Sequence, residues 1–158
     1  MKIKCLIIDD EPLAVNVVKN YLEQIEGAEL INTFNNAIDA LNFLKDNTVD
    51  VIFLDINMPV LDGLNFIKSL KKPPLIIVTS AYTEFAIETY DLDVLDYLVK
   101  PFDFPRFMRA LNKVYNRLDA GKVLVDNNNN NNNNTRPYLF VKIDKKKMKK
   151  IFLDEILV

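Results

Sequence analysis

Histidine is absent from all 158 residues. That absence removes serine and cysteine nucleophile systems built on imidazole, imidazole-bound metals and phosphohistidine carriers. Cysteine occurs once, at Cys5 inside an apolar run, which excludes an intrachain disulfide and a cysteine-caged metal and reads as a buried structural thiol. No segment approaches the roughly 18 apolar residues of a membrane helix, and the opening "MKIKCLII" is too short for a signal peptide. A soluble, cytoplasmic protein with no membrane contact is expected. The chemistry left open to the chain is that of carboxylates, hydroxyls and lysines.

What is present is ample apolar material, 49% of the residues, enough for one domain with a real core plus a remnant. Charge is uneven. Residues 1–118 carry 12 Lys+Arg against 17 Asp+Glu, and residues 136–158 carry 7 against 3, so an acidic body precedes a basic tail.

Short apolar runs alternate with amphipathic stretches, the pattern of a parallel sheet covered by helices on both faces. Strands are expected at Lys4 to Ile8, Glu29 to Phe34, Val51 to Leu54, Leu75 to Thr79 and Tyr97 to Val99. Helical spacing recurs in Leu13, Val17, Tyr21 and Ile25, in Ala37, Leu41 and Leu44, in Leu64, Ile67 and Leu70, and in Phe107, Leu111, Val114 and Leu118. Start signals fall at Pro12, at Asp62, at Thr83 before "EFAIETY", and at Asp103 with Pro105. Five strand and helix units therefore fill residues 1–118. The segment 119–136 contains eight consecutive asparagines, which neither fill a core nor hold a ladder, and reads as a flexible linker. Residues 137–158 offer two strand-like runs around a lysine-rich middle, too little for an independent fold.

In an open parallel sheet, ligands bind outside the carboxyl ends of the strands. There the first strand delivers Asp9 and Asp10 ("IIDDEP"), the third Asp55 ("VIFLDINMP"), the fourth Thr79 or Ser80 ("VTSA"), and the fifth Lys100 ("YLVKPF"). Taken singly, "DDEP" is an ordinary helix start, Asp55 a strand-end acid and Lys100 an exposed charge. Together they form one pocket. Three neighbouring carboxylates repel one another unless a cation joins them, and all-oxygen ligands suit Mg²⁺ or Mn²⁺. Asp10 and Asp55 are expected as direct ligands, Asp9 through water, and the Asn57 backbone carbonyl as the remaining protein donor. A carboxylate so held acts as a nucleophile toward phosphorus, with Lys100 and the hydroxyl on the transferred phosphoryl oxygens.

These residues, in the ordered motifs "IDDEP", "LDINMPVLDG", "TSAY" and "YLVKPF", resemble the response regulator receiver domain of bacterial two-component signalling over residues 1–118. The resemblance implies a flavodoxin-like, doubly wound (βα)5 sheet of strand order 2-1-3-4-5. It also implies phosphorylation of Asp55 by a sensor histidine kinase, with Asp9, Asp10 and Asn57 holding Mg²⁺ and Lys100 on the phosphoryl group. By the same resemblance Ser80 is the switch hydroxyl, with Thr79 the fallback, Tyr97 the aromatic that follows it, and Lys100-Pro101 a cis peptide bond. Asn57 and Tyr82, each two residues past a key position, would flank the attacking water and set the phosphoryl lifetime.

The stretch "TSAYTEFAIETYDLDVLDYLVKPF" is similar to receivers joined to LytTR-type DNA-binding domains, and "YLFVKIDKKKMKKIFLDEIL" resembles the opening strands of such a domain, cut off near its start. This implies transcription regulation by the complete protein, with DNA bound only through a complete C-terminal domain and not by this fragment. The eight-asparagine run is not a feature of that family. Reshaping of the face made by the fourth helix, fifth strand and fifth helix is expected to drive homodimerisation, with Glu84, Glu88, Arg106, Arg109 and Lys113 pairing across it. Beyond self-phosphorylation and self-dephosphorylation no enzyme activity is expected. Two other readings compete. One is a metal-dependent phosphatase with an aspartate nucleophile, which usually needs a second acid where Asn57 stands. The other is an interaction module with an idle pocket.

Overall fold

The computed structural model describes residues 2–83, 86, 89, 92–125, 138–144 and 147–152, with side chains described through Asp119. The helix expected after Thr83, with Glu84 and Glu88, lies outside the described residues save for 86 and 89.

Five strands form one sheet: β1 Ile3–Ile8, β2 Ala28–Phe34, β3 Val51–Asp55, β4 Leu75–Ser80 and β5 Asp96–Val99. All neighbours are parallel and the order is β2-β1-β3-β4-β5, as the resemblance implied. Each expected strand falls within one or two residues of its observed ends, because strands buried on both faces read as nearly unbroken apolar runs.

Alternation along the strands divides the core in two. Cys5, Ile7, Val51, Phe53, Ile77 and Leu98 pack with Val18 and Leu22 of α1 (Pro12–Glu23) and with Phe107, Leu111 and Val114 of α4 (Phe104–Val125). Their neighbours Leu6, Ile8, Ile52, Leu54, Ile76 and Val78 pack with Ala37 and Ala40 of α2 (Ala37–Leu44) and with Phe66 and Ile67 of α3 (Gly63–Ser69). At roughly 1.5–3 kcal/mol for each large apolar side chain removed from water, these two layers dominate the favourable side of folding.

The helix starts follow the expected polar signals. Pro12 opens α1, where the missing N–H costs nothing. The Asp62 carboxylate accepts from Asn65 N–H at 2.8 Å and caps α3, and that of Asp103 accepts from Arg106 N–H at 2.9 Å at the start of α4. Helix α4 continues to Val125, past the expected end at Leu118, since no proline interrupts 119–125. A separate antiparallel pair joins β6 (Tyr138–Asp144) to β7 (Lys147–Phe152), where two strand-like runs were expected. The asparagine run, and Lys145 and Lys146 between the strands, lie outside the described residues.

Candidate functional site

The strand order reverses between β1 and β3, the position at which a crevice opens beyond the strand ends. Asp55 is the last residue of β3, and Asp9 follows β1 directly, tied to the sheet by its N–H to Phe34 O at 2.9 Å. Both are deeply buried, at 5% and 4% exposure, whereas Asp10 is exposed at the rim. One carboxylate oxygen from each of the three lies within 4.8 Å of the others.

Lys100, the residue after β5, reaches into this cluster. Its Nζ donates to Asp9 Oδ2 at 2.9 Å and lies 3.9 Å from Asp55 Oδ2 and 4.0 Å from Glu11 Oε1. Two backbone N–H groups assist: that of Glu11 donates to Asp9 Oδ1 at 3.0 Å, and that of Asn57 to Asp55 Oδ1 at 3.2 Å. One ammonium does not offset three acids of which two are buried. Burial, reinforced by the charge of Asp9, pushes the Asp55 carboxyl from its ordinary 3.8 up to about 7, against the opposing pull of Lys100 and the Asn57 N–H.

Gly63 closes the floor beneath Asp55. Its N–H donates to Ile56 O at 2.9 Å, and a Cβ added there would stand 2.7 Å from Asp55 O and 2.8 Å from Ile56 Cα. The β3–α3 turn can lie this close to the strand only without a side chain.

Thr79 and Ser80 end β4, both buried. Ser80 Oγ accepts from Tyr82 N–H at 3.0 Å, Ser80 O accepts from Lys100 N–H at 2.7 Å, and the Tyr82 carbonyl accepts from the Tyr97 hydroxyl in a short bond. In register, Tyr97 faces Val78 and belongs to the same packed layer, while Thr79 faces Leu98 of the other layer. By alternation Ser80 shares the Tyr97 side of the sheet and Thr79 does not. Asn57 and Tyr82 are exposed beside the acids and the hydroxyl, and the Lys100-Pro101 bond is cis.

The structure thus brings together Asp9, Asp10, Asp55 and Lys100, and links Ser80, Tyr82 and Tyr97 in a second set. Glu11, 4.0 Å from the ammonium, was read in the sequence only as part of a helix start. Arg106 and Lys113, expected to pair across a dimer interface, both meet Asp96 within the single chain. Arg106 grips it in a two-pronged bond at 2.9 and 2.8 Å, and Lys113 stands 3.2 Å away. Burial opposes ionisation of Asp96, but these cations and the Tyr97 N–H outweigh it and hold the carboxyl below its usual range. Their spacing of seven residues puts both cations on one helix stripe facing the β5 edge.

The model of the response regulator receiver domain matches residues 5–112. The chain is 40% identical over 118 residues to a sensory transduction protein LytR of Staphylococcus haemolyticus, covering 73% of this chain and 46% of that protein. It is 41% identical over 114 residues to a transcriptional regulatory protein LytR of Staphylococcus aureus, covering 70% and 46%. The chain thus spans about half the length of these curated relatives. The crystal structure of the response regulatory domain of protein mrkE from Klebsiella pneumoniae superposes with a TM-score of 0.69 at 32% identity, covering 74% of this chain and 98% of that one.

Proposed function

This chain belongs to the response regulator receiver family, and we propose that Asp55 is its phosphoacceptor, charged by the phosphohistidine of a sensor histidine kinase. As a receiver domain of a two-component response regulator it is a signalling domain. The observation that carries the assignment is a buried carboxylate at the end of the central strand β3, with two acids and one ammonium around it. In the transfer, an Asp55 oxygen bonds to phosphorus as the phosphorus–nitrogen bond of the donor breaks, and the departing imidazole takes its proton from solvent.

The donor set fits a hard divalent cation, Mg²⁺ or Mn²⁺: all ligands are oxygen, and Asp55 is hard to ionise without added positive charge. Asp10 and Asp55 would hold it directly, Asp9 through water and Asn57 by its backbone carbonyl. Such an ion supplies charge neutralisation to the transferred phosphoryl oxygens. Lys100, already 3.9 Å from Asp55, releases Asp9 and takes a phosphoryl oxygen. Asn57 and Tyr82 flank the approach of water and set the lifetime of the acyl phosphate.

Ser80 is the switch hydroxyl, supported by its position on the Tyr97 side of the sheet and by Tyr82, whose N–H meets Ser80 and whose carbonyl meets Tyr97. When Ser80 Oγ turns to the phosphoryl group, it leaves the Tyr82 N–H, and the backbone of Tyr82, whose carbonyl holds Tyr97, is freed to move. The β5 face then changes population, which promotes homodimerisation. Residues 137–158 resemble the opening strands of a LytTR-type module, and the proposed output is DNA binding through such a module and control of transcription in the cytoplasm. The test of the assignment is labelling by a small acyl phosphate with Mg²⁺: the parent acquires a base-labile phosphoryl group, and Asp55→Asn does not.

A further inference from the structure

We infer that Tyr21 of α1 is a positioning residue for Lys100, acting through the Phe102 carbonyl; this rests on the reading that Lys100 serves the phosphoryl group. A lysine ammonium sits at the end of a flexible four-carbon stem, so its location depends on where the backbone starts it and on what lines the stem. Lining is incomplete here. A cavity of about 250 Å³ lies between α1 and the segment after β5, bounded by Leu13, Val17, Tyr21, Lys100, Pro101 and Phe102. The backbone must therefore do more of the placing.

That backbone is held at three points. Lys100 N–H donates to Ser80 O at 2.7 Å, Asp103 O accepts from Phe107 N–H at 3.0 Å, and between them Phe102 O accepts from the Tyr21 hydroxyl at 2.9 Å. The middle tie is the one that comes from α1, the helix that follows directly on Asp9, Asp10 and Glu11. The Tyr21 ring is itself fixed. It meets Phe104 and Phe107 with centroids 5.3 Å apart in each case, and Phe107 stacks on Phe53 at 5.2 Å and 24°. Phe53 lies two residues before Asp55 on β3. A column of rings thus runs from the nucleophile's strand to the Tyr21 hydroxyl, and the hydroxyl sets where the Lys100 segment lies relative to Asp55. A displacement of a charged group by a fraction of an ångström is enough to change its stabilisation of a transition state.

The test compares rates of phosphorylation by a small acyl phosphate in saturating Mg²⁺ for the parent, Tyr21→Phe, Lys100→Met and the double variant. Tyr21→Phe keeps the ring and loses one hydrogen bond. It is expected to react about fivefold more slowly, with the Mg²⁺ concentration for half-maximal rate unchanged because the lost bond is to the Phe102 carbonyl and to none of the acids. On the Lys100→Met background the same change is expected to have no further effect, the non-additivity of two residues acting as one unit. Tyr115→Phe is the control: it loses the corresponding bond to Gly27 O, 3.0 Å, at the far end of the sheet, and is expected to keep the parent rate. A parent rate for Tyr21→Phe, an equal loss on the Lys100→Met background, or an equal loss in Tyr115→Phe overturns the inference. Labelling of Asp55→Asn at the parent rate would instead overturn the phosphoacceptor assignment beneath it.

Discussion

Lys100 gives its short bond to Asp9, at 2.9 Å, and not to Asp55. The resting cation thus belongs to the neighbour of the nucleophile, close enough to transfer its allegiance without a backbone movement. Replacing Lys100 by Met retains the stem and removes the charge. Phosphorylation by a small acyl phosphate is expected to slow by about 10²-fold, the scale of losing one charge-stabilising donor. The metal-free melting midpoint is expected to drop by the equivalent of about 1–3 kcal/mol, since Asp9 is left buried without its partner. Unchanged rate and midpoint together would show Lys100 to be a bystander.

The Asp55 carboxyl, at about 7 instead of 3.8, makes stability depend on pH with a definite sign. Between those two values the folded chain binds a proton that the unfolded chain does not, so stability falls as pH rises through this window and stays low above it. The full shift would correspond to several kcal/mol, and partial access of solvent to the cluster reduces it to about 1–2 kcal/mol. Asp55→Asn is therefore expected to raise the metal-free melting midpoint at pH 8 by that amount and to lose the advantage near pH 4. Urea midpoints measured across pH 4 to 8 check it; a gain of the same size at every pH would contradict the electrostatic cause.

Gly63→Ala places a Cβ 2.7 Å from Asp55 O, an approach that requires the backbone under the nucleophile to shift. A loss of about 2 kcal/mol or more is expected, together with a slower phosphorylation rate at temperatures where the variant remains folded. Parallel melting and labelling experiments separate the two effects.

Val60 carries φ of 69° while 96% exposed, a left-handed backbone that a β-branched residue adopts only at a cost. Val60→Gly is expected to stabilise the domain by about 1 kcal/mol, readable as a higher melting midpoint, with labelling at the parent rate because the side chain stands in solvent. A lower midpoint would mean that Val60 makes contacts worth more than its strain.

The hydroxyl choice has its own measurement. Ser80→Ala is expected to label on Asp55 yet to leave the Tyr97 ring resonances unmoved on phosphorylation, whereas Thr79→Val is expected to retain their shift. The reverse pattern would assign the switch to Thr79.

Much of this was legible in the residue order because parallel strands buried on both faces leave continuous apolar runs that stop at a polar residue. Asp9, Asp55 and Lys100 mark those stops, so their convergence followed from the sheet alone. Ties between distant elements leave no such mark. Tyr21 looked like one more apolar position of α1, and nothing local to "KNYLEQ" tells that its hydroxyl meets a carbonyl 81 residues away. Arg106 and Lys113 are a second case: their alternation with acids along the chain suggested pairing across a dimer face, and nothing local to either residue tells that both also meet Asp96 on the adjacent strand. Spacing alone left Thr79 and Ser80 open; the resemblance chose Ser80, and the layers the two residues face add an observation that the residue order does not carry.

Every role assigned to the pocket depends on which atom takes the phosphoryl group. After phosphorylation with Mg²⁺, borohydride reduction converts a phosphorylated aspartate to homoserine, and peptide mass mapping then locates the change. Homoserine at position 55 and nowhere else is the predicted result. Homoserine at Asp9 or Asp10, or an unmodified Asp55 in a fully labelled protein, would contradict it.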